Sequence, residues 1–163
     1  MIYRRAVLVL AAVFFLCVSS AAHGQDLAAL KASQDLAALK ASFAAEIDAL
    51  NSRNLNATLI PVDNRMVVFG IFSPFPIKGK DEFRQAVQEY FDGYEHAVLT
   101  PIDPEFRVIG TTGVAWGNFR IAAKLKNGAS EYFDGRYMFT YAQSEGKWVI
   151  ISMHYSLLRP LIH

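Results

Sequence analysis

Cysteine is nearly missing from this sequence: one of 163 residues, Cys17, which lies in the apolar stretch near the start. A mature chain without that stretch holds no disulfide, no thiolate metal site and no thiol nucleophile. An excess of one charge is missing too. Lys+Arg 16 against Asp+Glu 15 leaves +1, so no broad field captures nucleic acid or an anionic membrane. The histidines have no metal-ligand spacing, with His23 near the start, His96 and His154 far apart and His163 terminal, so neither metal nor cofactor is expected. A membrane span is also lacking, because the apolar run from Ala6 to Val18 falls short of the roughly 20 residues that cross a bilayer.

That short run has another use. Arg4 and Arg5 precede it and the small residues Ser19-Ser20-Ala21-Ala22 follow it, so residues 1–24 read as a signal peptide cleaved after Ala22 or Gly24. The protein is then exported, periplasmic or secreted, with no stable membrane anchor after cleavage. The remainder suits one domain, since 53% apolar and 13% aromatic content supports a packed core.

Residues 25–42 are a duplication: Gln25–Ser33 (QDLAALKAS) recurs letter for letter as Gln34–Ser42. Nine residues turn a helix by about two and a half turns, so the two copies present their leucines on opposite sides. Leu36, Leu39, Phe43, Ile47 and Leu50 form one stripe from which Leu27 and Leu30 are excluded. The spacing therefore predicts a working helix over 34–52 and a solvated or frayed extension before it. Asn51 to Pro61 breaks the helix, and Met66–Phe72 suits a strand. Asp81 caps a helix whose apolar face carries Phe83, Ala86, Val87, Tyr90, Phe91 and Tyr94. From Phe106 the period changes to two, which predicts strands near 105–110, 113–125, 130–142 and 147–157. Helices first and a meander afterwards indicate an α+β fold with helices covering one face of a curved, mainly antiparallel sheet.

Turn positions give a register. A two-residue Asn127-Gly128 turn sets Trp116 opposite Phe139, Asn118 opposite Tyr137 and Arg120 opposite Gly135. A turn at Gly146 sets Tyr137 opposite Met153 and Arg136 opposite His154. One face then holds Trp116, Asn118, Arg120, Phe133, Tyr137, Phe139, Tyr141, Val149, Ile151, Met153 and Tyr155. These aromatics either simply pack or line a pocket, and Arg120 needs an acceptor: Glu105, a backbone carbonyl or a bound carboxylate. The other face holds Asp134, Arg136, His154 and Ser156 beside Met138, Thr140, Trp148, Ile150, Phe119 and Ile121. Serine, histidine and aspartate lying flat on a sheet, without a turn to expose the nucleophile, do not make a hydrolase triad. A dimer interface built on Asp134, Arg136, Trp148, His154 and Ser156 fits the mixture better.

Gly79-Lys-x-x-Phe83-Arg84, Val108-Ile-Gly110, Gly135-Arg-Tyr-x-Phe-x-Tyr141 and Gly146-Lys-Trp-x-Ile-x-x-x-His154-x-Ser156 together resemble the SnoaL-like branch of the nuclear transport factor 2-like superfamily. The resemblance makes residues 43–163 a SnoaL-like domain, similar in fold to ketosteroid isomerase and to the calcium/calmodulin-dependent kinase association domain. It implies a cone-shaped fold, a pocket between helices and concave sheet, and a homodimer through the sheet's back. Alignment on it brings the isomerase's carboxylate base to Gly70, its first tyrosine donor near Glu46 and its protonated acid beside Tyr137. None of the positions 67–72 is acidic, so catalysis is not favoured and no catalytic residue is assigned; Glu105, Asp63 or Tyr137 would have to take a new role. The expected function is a non-catalytic small-molecule-binding or dimerisation module. Its ligand site consists of Trp116, Asn118, Arg120, Tyr137 and Tyr155, with Arg120 anchoring an apolar, carboxylated compound. The alternative is an isomerase- or cyclase-like enzyme that moves a proton in an apolar carbonyl compound.

Overall fold

The computed structural model describes residues 3–71 and 73–158, with side chains from residue 26 onward. The signal-peptide assignment of residues 1–24 therefore lies outside the described side chains. The chain divides into a unit Met1–Asp35 and a unit Leu36–His163. In the first, the backbone is helical from Tyr3, Leu27 and Leu30 are 68% and 56% exposed, and Lys31 pairs with Asp35 one turn on.

In the second unit, α1 (Tyr3–Asn51) buries Leu39, Phe43 and Ile47 of the expected stripe. Glu46 is buried with them at 5% exposure. The segment read as a break contains a short helix, α2 (Leu55–Leu59), whose N-cap Asn54 accepts from the Ala57 amide. Two polar residues then fix the helices over the sheet. The Asn51 side-chain amide bonds both the carbonyl and the amide of Leu99, and the Arg53 guanidinium donates to the carbonyls of Phe91 and Tyr94.

After β1 (Val62–Phe69) and the two-residue β2 (Ile77–Lys78) comes α3 (Gly79–Gly93), which buries Phe83, Val87 and Phe91. Asp81 is not its cap. Lys78 holds that position, and its amide donates to the carboxylate of Glu82. The helix stops at Gly93, so Tyr94 opens β3 (Tyr94–Ile109) instead of extending the helix. β4 (Thr112–Leu125), β5 (Ser130–Ser144) and β6 (Lys147–Leu157) complete a six-stranded sheet in the order β2-β1-β6-β5-β4-β3. Only the β1–β6 pairing is parallel. The α+β architecture, helices against a mainly antiparallel sheet, is as expected.

The first half of β3 escaped the sequence reading because Pro101, Asp103 and Pro104 argue against a strand interior. β3 lies at the sheet edge, where a missing amide is tolerated, and the register shifts between Ile102 and Glu105 around Asp103, whose φ is +48°.

Both hairpin registers also differ from expectation. Leu125 donates to the carbonyl of Ala129, closing a three-residue loop Lys126-Asn127-Gly128 with Gly128 at φ +87°. One more loop residue than expected moves β4 by one place against β5: Gly117 faces Tyr137, Asn118 faces Arg136 and Arg120 faces Asp134. Every β4 side chain changes face as a result. In the other hairpin, Glu145-Gly146 form a two-residue turn, both at positive φ, and Ile151 is an extra residue between the Thr140–Ser152 and Tyr141–Ile150 pairs. That bulge reverses the alternation along β6. Trp148 and Ile150 before it and Met153 after it therefore all face the core, while Val149 and Ile151 do not.

Candidate functional site

The interior face of the sheet now consists of Ala115, Phe119, Ile121, Tyr137, Phe139, Tyr141, Ile150 and Met153, all buried. Phe43 of α1 stacks on Tyr137 with ring centroids 5.5 Å apart, and Phe139 meets Tyr155 edge to face at 5.3 Å. Beside this aromatic floor a chamber of about 130 Å³ remains open. Its walls are Glu46 and Leu50 from α1, Thr58 from α2, Phe83, Ala86, Val87 and Tyr90 from α3, and Val68, Leu99, Ile121 and Tyr155 from four strands. Gly70 and Ile71, just past β1, complete it.

Among the described residues Glu46 is the only acidic one lining the chamber. Burial pushes its carboxyl from an ordinary 4.5 up to about 8, and the hydroxyl of Tyr141, which donates to Oε2 from 3.3 Å, only partly opposes this. At that length the bond is weak beside the usual 2.7–2.8 Å of an O–H···O contact. Near neutral pH Glu46 is therefore mostly a neutral acid. The phenols around it keep their protons as well: burial pushes Tyr90 up to about 12, and burial followed by the proximity of Glu46 raises Tyr141 and Tyr155. The Tyr90 hydroxyl is buried with no hydrogen-bond partner among the described residues.

A second space adjoins the chamber. Gly70, Ile71, Ala86 and Tyr90 also line this space of about 390 Å³, bounded further by Ser73, Ile77, Glu89, Gly93, Tyr94 and Leu125. A Cβ added at Gly70 would meet no atom of the described residues within 4 Å, so the space at that point is unfilled.

Of the residues singled out in the sequence, Tyr155 lines the chamber, and Tyr137 lies in the core without lining it. Trp116, Asn118 and Arg120 are on the opposite face of the sheet, because β4 is displaced by one residue. Arg120 does not anchor an anion in the pocket. It makes an exposed two-pronged ion pair with Asp134, with nitrogen–oxygen distances of 2.7 and 2.8 Å. Of the five residues assigned to a dimer interface, Asp134, Arg136, His154 and Ser156 are on that same outer face, whereas Trp148 is 5% exposed and belongs to the core. Trp116, Asn118, Arg136, His154 and Ser156 surround an outer groove of about 390 Å³, together with Asp103 and Glu105 at the β3 bulge. Glu105, considered for a catalytic role, is exposed there, and Asp63 caps the Arg65 amide outside the chamber.

Glu46 is absent from the site expected from the sequence, where it stands only near the position of the isomerase's first tyrosine donor, and a direct signal was available. It falls between Phe43 and Leu50 at helical spacing, a charged residue on the buried stripe. Among the described residues no group of His, Cys, Asp and Glu could hold a metal ion, and no helix is long and apolar enough to cross a membrane.

A SnoaL-like domain family matches residues 25–160. No curated protein sequence matches the chain. Among solved structures, the chain is similar to a nuclear transport factor 2-like superfamily protein from Salmonella enterica, with 14% identity over 79% of this chain and 94% of that one and a TM-score of 0.69. It is similar also to a ketosteroid isomerase-like protein from Erwinia carotovora atroseptica, with 18% identity over 77% and 98% and a TM-score of 0.67. A protein with a cystatin-like fold from Caulobacter vibrioides gives 16% identity over 76% and 89% and a TM-score of 0.66. At these identities the likeness concerns the fold.

Proposed function

Because this chain belongs to the SnoaL-like domain family, we propose that it is an exported, homodimeric small-molecule-binding protein whose binding site is the chamber between α1, α3 and the sheet. One observation carries the binding role: Glu46, the one carboxyl among the described lining residues, is buried in a mainly apolar chamber that adjoins the outer space at Gly70 and Tyr90. Burying a carboxyl is costly, and a fold that keeps one facing empty space gains nothing from it in packing. Glu46 therefore replaces Arg120 as the polar anchor, and an uncharged compound replaces the carboxylated one. Gly70→Leu tests this, since Gly70 lines both spaces and a Cβ added there meets no atom of the described residues within 4 Å. The variant should retain its melting temperature and lose binding of xenon, read by 129Xe NMR, whereas Arg120→Met should bind xenon like the parent protein. Equal xenon binding by Gly70→Leu and the parent would reject the chamber as the site.

A second reading is proton transfer in an apolar carbonyl compound. It rests on the position of Glu46 near 8, where both protonation states are populated around neutrality. Deuterium exchange next to the carbonyl of a cyclic ketone, fast with the parent protein and lost in Glu46→Gln, would support it. Equal exchange rates in the two proteins would exclude it.

A further inference from the structure

We infer, as an extension that rests on the binding role proposed above, that the chamber selects an uncharged compound built on a single six-membered ring and carrying a ketone or hydroxyl oxygen.

Size sets the first limit. The inner chamber measures about 130 Å³, close to the roughly 150 Å³ of an apolar protein cavity that admits benzene. One ring fits, and a fused pair does not. The chamber adjoins the larger outer space at Gly70, Ile71, Ala86 and Tyr90, so a substituent on the ring has room to extend outward past Tyr90.

Charge sets the second limit. Among the described residues no lysine, arginine or histidine lines either space. A carboxylate would be buried without a counter-ion and beside Glu46, at a large desolvation cost. An ammonium would require Glu46 to ionise, and the desolvation of two buried charges offsets most of their attraction. An uncharged molecule meets neither penalty.

The polar groups set the third. Thr58 spends its hydroxyl on the carbonyl of Asn54 at 3.0 Å. Tyr141 donates to Oε2 of Glu46, so a protonated Glu46 has its own O–H left to give, and Tyr90 has a buried hydroxyl with no partner. Both are donors in want of an acceptor, which a ketone or hydroxyl oxygen supplies and a hydrocarbon does not.

The test is calorimetric titration of the mature chain at pH 6.5 with 4-methylphenol, cyclohexanone, toluene, 2-naphthol, benzoate and benzylamine. Parent protein, Glu46→Gln, Glu46→Leu and Tyr90→Phe are compared after each is shown to melt cooperatively. We expect 4-methylphenol and cyclohexanone to bind about tenfold tighter than toluene, the worth of one hydrogen bond. The preference should persist in Glu46→Gln, which retains a donor, and shrink in both Tyr90→Phe and Glu46→Leu, each of which keeps only one of the two donors. Cyclohexanone has no ionisable group, so its affinity for the parent should fall as pH rises from 6.5 to 9.5 while that for Glu46→Gln stays level. Tyr90, Tyr141 and Tyr155, which face Glu46 from α3, β5 and β6, remain protonated over that interval. Tighter binding of 2-naphthol, benzoate or benzylamine than of 4-methylphenol, or toluene equal to 4-methylphenol, overturns the inference. If no ring compound binds but xenon does, and Gly70→Leu blocks it, the ligand class is wrong and the chamber stands. If xenon fails as well, both readings fall.

Discussion

A carboxyl that retains its proton to about pH 8 in the folded state costs stability whenever the unfolded chain is free to ionise it. Between about pH 4.5 and 8 the native state holds more protons than the unfolded one, so unfolding becomes easier as pH rises through that window. At pH 7 the cost is about 3 kcal/mol, a large share of a small domain's stability. Glu46→Gln keeps the shape and removes the titration. Urea unfolding should show the parent losing stability from pH 5 to pH 8 relative to this variant, and parallel curves would mean that Glu46 is not held neutral. Tyr155 was identifiable as a pocket residue from β6 alternation, since the Gly146 register was out by two places and two places preserve the face. Arg120 was assigned to the wrong face because an error of one place does not.

Elements were easier to read than their pairing. The buried stripe of α1, the apolar face of α3 and the three later strands all follow from periodicity, which local sequence carries. Loop length in the Asn127 hairpin and the bulge at Ile151 depend on how twisted strands close over the core, and no residue type marks either one. Close approach of two strands leads to one prediction. Gly135 lies opposite Phe119, whose ring covers it, and a methyl group there would overlap that ring and the backbone oxygen of Ser156. Gly135→Ala should destabilise the fold by about 1–3 kcal/mol, the usual range for overpacking, and an unchanged denaturation midpoint would contradict the packing. The first copy of the duplication offers the opposite case. Leu27 and Leu30 are exposed, so deleting Gln25–Ser33 should shift the melting temperature little. A loss of about 2 kcal/mol or more, the scale of a core truncation, would show that this copy is packed.

For the whole molecule, the outer sheet face carries apolar groups that water solvates poorly: Phe69 and Met138 are each 50% exposed and Ile102 is 39% exposed. Trp116 and Asn118 lie between them on β4. Apart from the Arg120–Asp134 pair, which neutralises itself, charge is divided across the groove on this face, with Asp103 and Glu105 on β3 and Arg136 and His154 on β5 and β6. At about 4.8 Å between strands, the acidic and basic sides are on the order of 10–14 Å apart. A two-fold axis near β4 would bring the acidic side of one copy onto the basic side of the other, which is the self-complementarity that an isologous dimer needs. The homodimer proposed for this face no longer requires Trp148, which is in the core. Sedimentation velocity at micromolar concentration should therefore show a dimer for the mature chain. Arg136→Glu should shift it toward monomer, and Glu105→Lys added to Arg136→Glu should restore association, because the exchanged charges again face each other. A parent protein that sediments as a monomer, or an Arg136→Glu variant that dimerises like the parent, would remove this face as the interface.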